Sequence, residues 1–94
     1  MPAHIAEITC VHRRGEHLPA HERIEGIGGV LSRVWKVSEE QAIGYINRRE
    51  WAFYVMVEGR RVPVIVATHE GREYLKAETD GVEPESLLRL PECK

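Results

Sequence analysis

The strongest periodic pattern in the chain predicts a helix over residues 39–49. Its apolar stripe, spaced as on one face of a helix, consists of Ala42, Ile43 and Ile46. Ser38 precedes the stripe, and Gln41 lies three positions after Ser38. Each of these two side chains can therefore satisfy a backbone N–H of the other residue. Two glutamates in the first turn and two arginines in the last turn also suit the helix dipole.

Three stretches after the helix have the composition of β-strands, and they cover residues 52–58, 61–69 and 72–78. Gly59 lies in the first connection, and Glu70-Gly71 in the second resembles an Asp-Gly hairpin turn. The three stretches therefore predict an antiparallel meander. Because the first two strands are apolar on both faces, we expect a sheet that is covered on both sides.

The part of the chain before the helix is less regular and predicts two strands joined by a polar loop. The first strand covers residues 5–13. A short second strand over residues 23–29 has three glycines in four positions, which indicate a bulge or a close approach of two backbones. Residues 30–37 fit neither a helix nor a strand clearly, although their apolar side chains can fill the core beside the helix.

These elements predict an α+β fold in one domain of residues 1–94. One helix packs on a mainly antiparallel sheet of four or five strands in the order ββαβββ. The tail over residues 86–91 contains three leucines, so we expect a C-terminal arm that docks on the domain. A chain of 94 residues is long enough to bury a core without metals or cross-links.

The net charge of −2 and the pI near 6.2 argue against a protein that binds polyanions with its whole surface. The longest apolar runs, residues 52–57 and 62–67, are too short to span a bilayer. The start Met1-Pro2-Ala3-His4 does not resemble a secretory signal. We therefore expect a cytoplasmic, bacterial-type location and no membrane partner.

The two cysteines and five histidines give weak support for a metal site or a catalytic site. Cys10 and His12 would share one side of a strand, and Cys93 with a further histidine could complete four zinc ligands. No closely spaced Cys pair supports such a site, and a cytosol keeps thiols reduced, so Cys10 and Cys93 are predicted to be free thiols. No sequence signature of a nucleophile or a phosphate loop is present. We predict no metal, no cofactor, no catalytic residue and no enzymatic activity.

Several segments along the chain carry a resemblance to a known family. They are Ile8-Thr9-Cys10-Val11, residues 24–29, Trp35, residues 38–46, residues 53–55, residues 74–76, Asp80-Gly81 and residues 87–93. The chain resembles a family of small uncharacterised proteins, mostly bacterial, that is classed as a domain of unknown function. The resemblance implies a compact β-rich fold with one helix and implies no activity. Ala77 and Glu85-Ser86 depart from the family pattern, so no polar ligand contact is expected there.

Three arginine doublets are the most suggestive surface feature, and they are Arg13-Arg14, Arg48-Arg49 and Arg60-Arg61. If Arg48, Arg49, Arg60 and Arg61 share one rim, their guanidinium groups could bind phosphates, and Trp51 could supply a stacking face. The alternative interpretation is that these arginines complement the helix dipole or are solvated charges in turns. Fifteen acidic residues spread through the same chain favour this alternative.

We therefore expect a non-enzymatic domain that binds a partner, which can be another protein, through its surface. One alternative is a module that binds nucleic acid or another anionic ligand through the arginine doublets. The other is an enzyme or metal site that uses Cys and His. A protein-interaction module requires an exposed apolar patch or an unpaired strand edge, an enzyme requires converging titratable groups, and a nucleic-acid module requires the doublets on one face.

Overall fold

A computed structural model describes residues 3–93, and within that range the chain forms two sheets and two helices. In chain order the elements are β1 (His4–Glu7), β2 (Cys10–Arg13), a 3-10 turn (Ala20–Glu22), β3 (Ile24–Val30), β4 (Val34–Ser38), α1 (Glu39–Asn47), β5 (Trp51–Val57), β6 (Arg60–His69), β7 (Arg72–Ala77) and α2 (Glu85–Leu88). The predicted domain also includes Met1, Pro2 and Lys94, and these three residues lie outside the described part of the chain.

The fold class is α+β, as predicted, with one main helix and mostly antiparallel strands. The strands form two sheets instead of one. The first sheet has the order β1-β5-β6-β7, and the second has the order β2-β3-β4. Only the pairing of β1 with β5 is parallel among these described strands. The predicted order ββαβββ is thereby corrected to ββββα followed by βββ and the short α2.

The predicted strand over residues 5–13 is divided between the two sheets. The Ile8 backbone N–H donates to the Tyr54 carbonyl of the first sheet at 2.8 Å. The next N–H, that of Thr9, donates to the Gly28 carbonyl of the second sheet at 2.9 Å. The chain therefore changes sheets between two consecutive residues. The composition of this stretch suits a strand throughout, so it gives no local sign of the change.

Residues 34–38 form β4, and its last residue is also the N-cap of α1. The Gln41 N–H donates to Ser38 Oγ at 3.0 Å, and the Ser38 N–H donates to Gln41 Oε1 at 3.0 Å. The predicted capping box is therefore confirmed. The helix itself ends at Asn47, two residues before the predicted end.

The predicted meander after the helix is confirmed as β5, β6 and β7. Glu58-Gly59 connects the first pair, and both residues have positive φ, 51° and 80°. Glu70-Gly71 connects the second pair with φ values of 52° and 81°. Two consecutive residues of positive φ give the turn the twist that antiparallel strands need.

The core lies on one face of the first sheet, where Phe53, Val55, Val62 and Val64 are buried. Residues that alternate with these point to the opposite face, and Met56 on that face is exposed. The expectation that the sheet is covered on both sides is therefore wrong for this outer face. No helix within residues 3–93 is long and apolar enough to cross a membrane.

The C-terminal arm docks on the domain, as predicted, and extends the second sheet. The Val11 N–H donates to the Pro91 carbonyl at 3.0 Å, and the Cys93 N–H donates to the Val11 carbonyl at 3.0 Å. Arg13 donates through Nη2 to the carbonyls of Leu88 and Leu90. These bonds hold the arm beside β2 as a short parallel addition.

Cys10 and Cys93 form a disulfide, so the prediction of free thiols is wrong. The docked arm brings the two Cα atoms to 4.9 Å although 83 positions separate them in the sequence. This proximity depends on tertiary pairing, which residue spacing does not reveal. Disulfides persist mainly in oxidising compartments. The cytoplasmic location stays a prediction, and the inference from it to reduced thiols fails.

Ser38→Ala is expected to lower the free energy of unfolding by about 1 kcal/mol, because it removes the acceptor for an N–H of the first helical turn. Urea unfolding monitored by circular dichroism measures the change. Ser32→Ala is the matched control, since Ser32 is exposed in the connection between β3 and β4. Equal stability of the two variants would contradict the role of the capping box.

Reduction of the disulfide is expected to lower the free energy of unfolding by about 2–5 kcal/mol, because the bond closes most of the chain into one loop in the unfolded state. Urea unfolding with and without a phosphine reductant measures the difference. The Cys10→Ser/Cys93→Ser variant controls for effects of the reductant. Wild-type protein purified with thiol-blocking reagent should show no labelled cysteine by mass spectrometry, and two labels would contradict the bond.

Candidate functional site

A pocket of about 140 Å³ lies where the connection between β3 and β4 meets α1 and β5. We call it the aromatic pocket, and its lining residues are Leu31, Trp35, Val37, Tyr45, Trp51 and Phe53. Trp35 and Val37 alternate along β4, and Trp51 and Phe53 alternate along β5. Alternation places each pair on one side of its strand. The pocket therefore forms because two strands present their large side chains to each other beside α1.

Ring contacts hold the walls of the aromatic pocket. The rings of Trp51 and Phe53 lie 6.2 Å apart with an interplanar angle of 10°, and the rings of Trp35 and Phe53 lie 5.6 Å apart. The ring of His4 lies 4.6 Å from that of Trp51. Such offset ring pairs stabilise one another beyond their buried area. The walls are therefore supported before any ligand enters.

The indole of Trp35 provides an unmatched polar group at this site. Its Nε1 is buried and has no hydrogen-bond partner among residues 3–93. A buried N–H without an acceptor costs about 1–3 kcal/mol.

Exposed aliphatic side chains stand beside the aromatic pocket. Val30, Leu31 and Val34, which we call the apolar tip, have exposed fractions of 61%, 50% and 67%. Leu31 belongs to both the apolar tip and the pocket wall. Single exposed aliphatic residues are ordinary, but a contiguous group beside a pocket is typical of an interaction site.

The structure brings together only part of the predicted anion-binding set. Arg48 lies at the end of α1 with its Cζ 5.5 Å from the ring centroid of Tyr45, and Arg49 precedes Trp51 by two residues. Arg48 also forms an ion pair with Glu50. Arg48, Arg49 and Trp51 therefore lie at one end of β5, next to the aromatic pocket.

The other two predicted residues, Arg60 and Arg61, lie at the opposite end of β5. Arg60 pairs with Val57 and Arg61 with Met56. A strand of seven residues separates the ends by about 20 Å. The predicted rim of four arginines is therefore not formed. The four arginines are separated because the tight turn after β5, which leads into Arg60 and Arg61 of β6, lies at the end of β5 opposite to Arg48 and Arg49.

The Cys and His residues do not assemble a metal or nucleophile site. Cys10 and Cys93 are joined in the disulfide and cannot act as thiolate ligands in that state. Residues 3–93 contain no group of three or more His, Cys, Asp or Glu side chains that could hold a metal ion. His12 faces Glu92 instead, with 3.7 Å between Nδ1 and Oε2.

Comparison with known proteins shows to which family this chain belongs. The family model described as a protein of unknown function, DUF3892, matches residues 7–91. The chain belongs to this family. No curated protein and no solved structure matches it. The resemblance to a domain of unknown function is thereby confirmed, and DUF3892 membership brings no activity with it. The function must therefore be argued from the geometry of this chain.

A second candidate site in this DUF3892 chain is a polar cavity of about 340 Å³, lined by Arg14, Glu39, Glu40, Ile43, Arg72 and Glu73. Glu39 is buried, and burial raises the pKa of its carboxyl group above the ordinary value. A perturbed carboxyl group in a cavity is a common mark of catalysis. Here one oxygen accepts from Arg72 Nη2 at 3.2 Å and the other from the Leu75 N–H at 3.2 Å. Glu39 therefore fastens the start of α1 to the edge of β7.

Glu39→Gln is expected to change the pH dependence of stability. The raised pKa means that the folded state binds the proton more readily than the unfolded state, so the contribution of Glu39 falls as the pH rises above about 4.5. The unfolding free energy of wild type minus that of the variant should therefore be larger near pH 4 than near pH 7.

Urea unfolding at a series of pH values measures this difference. Glu40→Gln is the control, because it removes the same charge from the neighbouring exposed side chain. A difference that grows with pH for Glu39→Gln would show that the ion pair with Arg72, and not burial, governs this carboxyl group.

Proposed function

We propose that this domain is a non-enzymatic interaction module that binds another protein by taking one of its apolar side chains into the aromatic pocket. The observation that carries the proposal is the continuity of the pocket with the apolar tip, since Leu31 contributes to both. A partner that covers the tip also reaches the mouth of the pocket. Burial of the three exposed aliphatic side chains and filling of the pocket would then act together.

The size of the aromatic pocket limits what can enter. An apolar cavity of about 150 Å³ holds one benzene molecule. At about 140 Å³, the pocket is suited to a single aromatic ring or a leucine side chain. Protein interfaces concentrate their binding energy in such anchors, which fill a preformed pocket while the surrounding contacts exclude water.

The composition of the pocket wall supports binding over catalysis. Its polar groups are the Tyr45 hydroxyl and the indole N–H groups of Trp35 and Trp51, and it contains no carboxylate, imidazole or thiol. Acid–base and nucleophilic catalysis require such a group within hydrogen-bond reach of the substrate. The carboxyl group of Glu39, in the polar cavity, has both oxygens engaged by the fold.

A second candidate function is the binding of an anionic polymer, and one observation favours it. Arg48 and Arg49 lie close to Trp51 in the sequence. Proteins that bind single-stranded nucleic acids combine cations and aromatic rings in this way. The exposed valines and leucine of the apolar tip do not suit that partner, because nucleic-acid interfaces are polar and strongly basic.

Occupation of the pocket is expected to change tryptophan fluorescence. Trp35 and Trp51 are the only tryptophans in the sequence and both line the pocket, so the signal reports this site. N-acetyl-phenylalanine amide should produce a saturable change that N-acetyl-alanine amide does not. Leu31→Ala should weaken the binding by about fivefold, equivalent to about 1 kcal/mol of lost apolar contact.

Val82→Ala is the matched control for Leu31→Ala, because Val82 is also exposed and lies in the segment after β7, outside the pocket wall. It should bind the phenylalanine probe as the wild type does. Equal responses to the two probes, or equal weakening by the two substitutions, would refute a specific apolar site.

A further inference from the structure

We infer that the partner segment is acidic: a negatively charged stretch of another protein, with one aromatic or leucine side chain, fits the aromatic pocket and the arginines around it. This inference rests on the proposed function and specifies the partner of the same site. Its basis is the distribution of charge around the mouth of the pocket, which differs in sign from the charge of the whole chain.

Three arginines lie close in the sequence to residues that line the pocket, and we call them the basic rim. Arg33 lies in the connection between β3 and β4, midway between the wall residues Leu31 and Trp35. Arg48 lies over the ring of Tyr45, and Arg49 follows it. Each member of the basic rim thus lies within three residues of a side chain that lines the pocket.

Few carboxylates oppose the basic rim. Glu50 pairs with Arg48, and Glu39 is buried and bound to β7. Glu40, three residues after Val37, lines the separate polar cavity. Arg33 and Arg49 have no carboxylate partner among residues 3–93. The chain as a whole carries a net charge of −2, so this positive region is local. Local charge of this kind steers a partner of opposite sign and selects against partners of the same sign.

The helix dipole explains only part of the basic rim. Arg48 and Arg49 follow the last turn of α1, where positive side chains are favoured even without a partner. Arg33 belongs to a strand connection with no helix end beside it in the sequence. Its position beside Leu31 therefore has no such intramolecular explanation, and an acidic partner supplies one.

The same charge distribution disfavours two other occupants. A second copy of this chain would bring the basic rim of one molecule against that of the other, and like charges repel across such an interface. A nucleic acid would satisfy the arginines but would leave Val30, Leu31 and Val34 without apolar contacts. An acidic protein segment with an apolar anchor satisfies both groups.

Four synthetic peptides test the inference by tryptophan fluorescence. The acidic peptide is acetyl-Glu-Asp-Phe-Asp-Glu-amide. The basic peptide has lysine at its four charged positions, the neutral peptide has serine there, and the anchorless peptide has alanine in place of phenylalanine. At low salt the acidic peptide should bind at least tenfold more tightly than the basic one. The difference should shrink as added salt screens the exposed charges.

Two substitutions should remove the preference without removing the pocket. Arg33→Gln and Arg49→Asn are combined, with asparagine chosen because Arg49 has a φ of 59° and asparagine tolerates this conformation. The double variant should bind the acidic peptide no better than the neutral one and should keep the wild-type affinity for the neutral peptide. Arg60→Gln, a charge change at the far end of β5, should keep the wild-type preference.

The outcomes separate this inference from the proposed function. If the neutral and acidic peptides bind equally while the anchorless peptide does not bind, the pocket is a binding site and the inference of an acidic partner is wrong. If no phenylalanine peptide binds, both are wrong. The inference is also overturned if oligo-deoxythymidine displaces the acidic peptide with higher affinity. Concentration-dependent dimerisation that blocks the pocket, measured by sedimentation, would overturn it as well.

Discussion

Gly28 and Gly29 in β3 lie so close to neighbouring segments that neither position has room for a side chain. A Cβ on Gly28 would lie 2.9 Å from Cys10 Sγ and 3.0 Å from Cys93 Sγ. A Cβ on Gly29 would lie 2.9 Å from Trp35 Cζ2 and would also collide with the Glu7 carbonyl. The backbone of these two glycines therefore contacts three features directly. They are the segment where the chain passes from one sheet to the other, the disulfide and the Trp35 ring.

The candidate site depends on this close contact. Because Trp35 lies directly on β3, its ring reaches Phe53 of the first sheet and closes one wall of the aromatic pocket. The same strand then carries Val30 and Leu31 into the apolar tip. The disulfide and the docked arm hold the opposite side of the second sheet, next to β2. The second sheet carries the apolar tip. It is held on one side by the contact of Trp35 with Phe53 and on the other by the disulfide and the docked arm.

Local signals in the sequence were sufficient for the helix and the hairpins. Ser38 and Gln41 are three residues apart, and Glu70 and Gly71 are consecutive residues whose positive φ values form the turn. Pairings between distant segments could not be predicted. The change of sheet after Ile8 and the approach of Cys93 to Cys10 both depend on which strands become neighbours, and a single sequence does not state this.

The aromatic pocket also depends on which strands become neighbours, although the sequence contains one signal of it. Trp35 with Val37, and Trp51 with Phe53, repeat at the two-residue spacing of a strand face on either side of the helix. Arg48, Arg49 and Trp51 lie at one end of β5 because they are close in sequence. A rim that also contains Arg60 and Arg61 requires the helix end and the hairpin turn to meet, whereas β5 separates them.

The most direct measurement is a titration with the acidic phenylalanine peptide, monitored by proton–nitrogen NMR. The indole N–H signals of Trp35 and Trp51 report the pocket, and the backbone signals of residues 30–34 report the apolar tip. If a partner side chain enters the pocket, these signals shift saturably with one dissociation constant while those of Glu58-Gly59 stay unchanged. Unchanged indole signals, with the largest shifts at the far end of β5 or on the outer face of the first sheet, would contradict the assignment of the binding site.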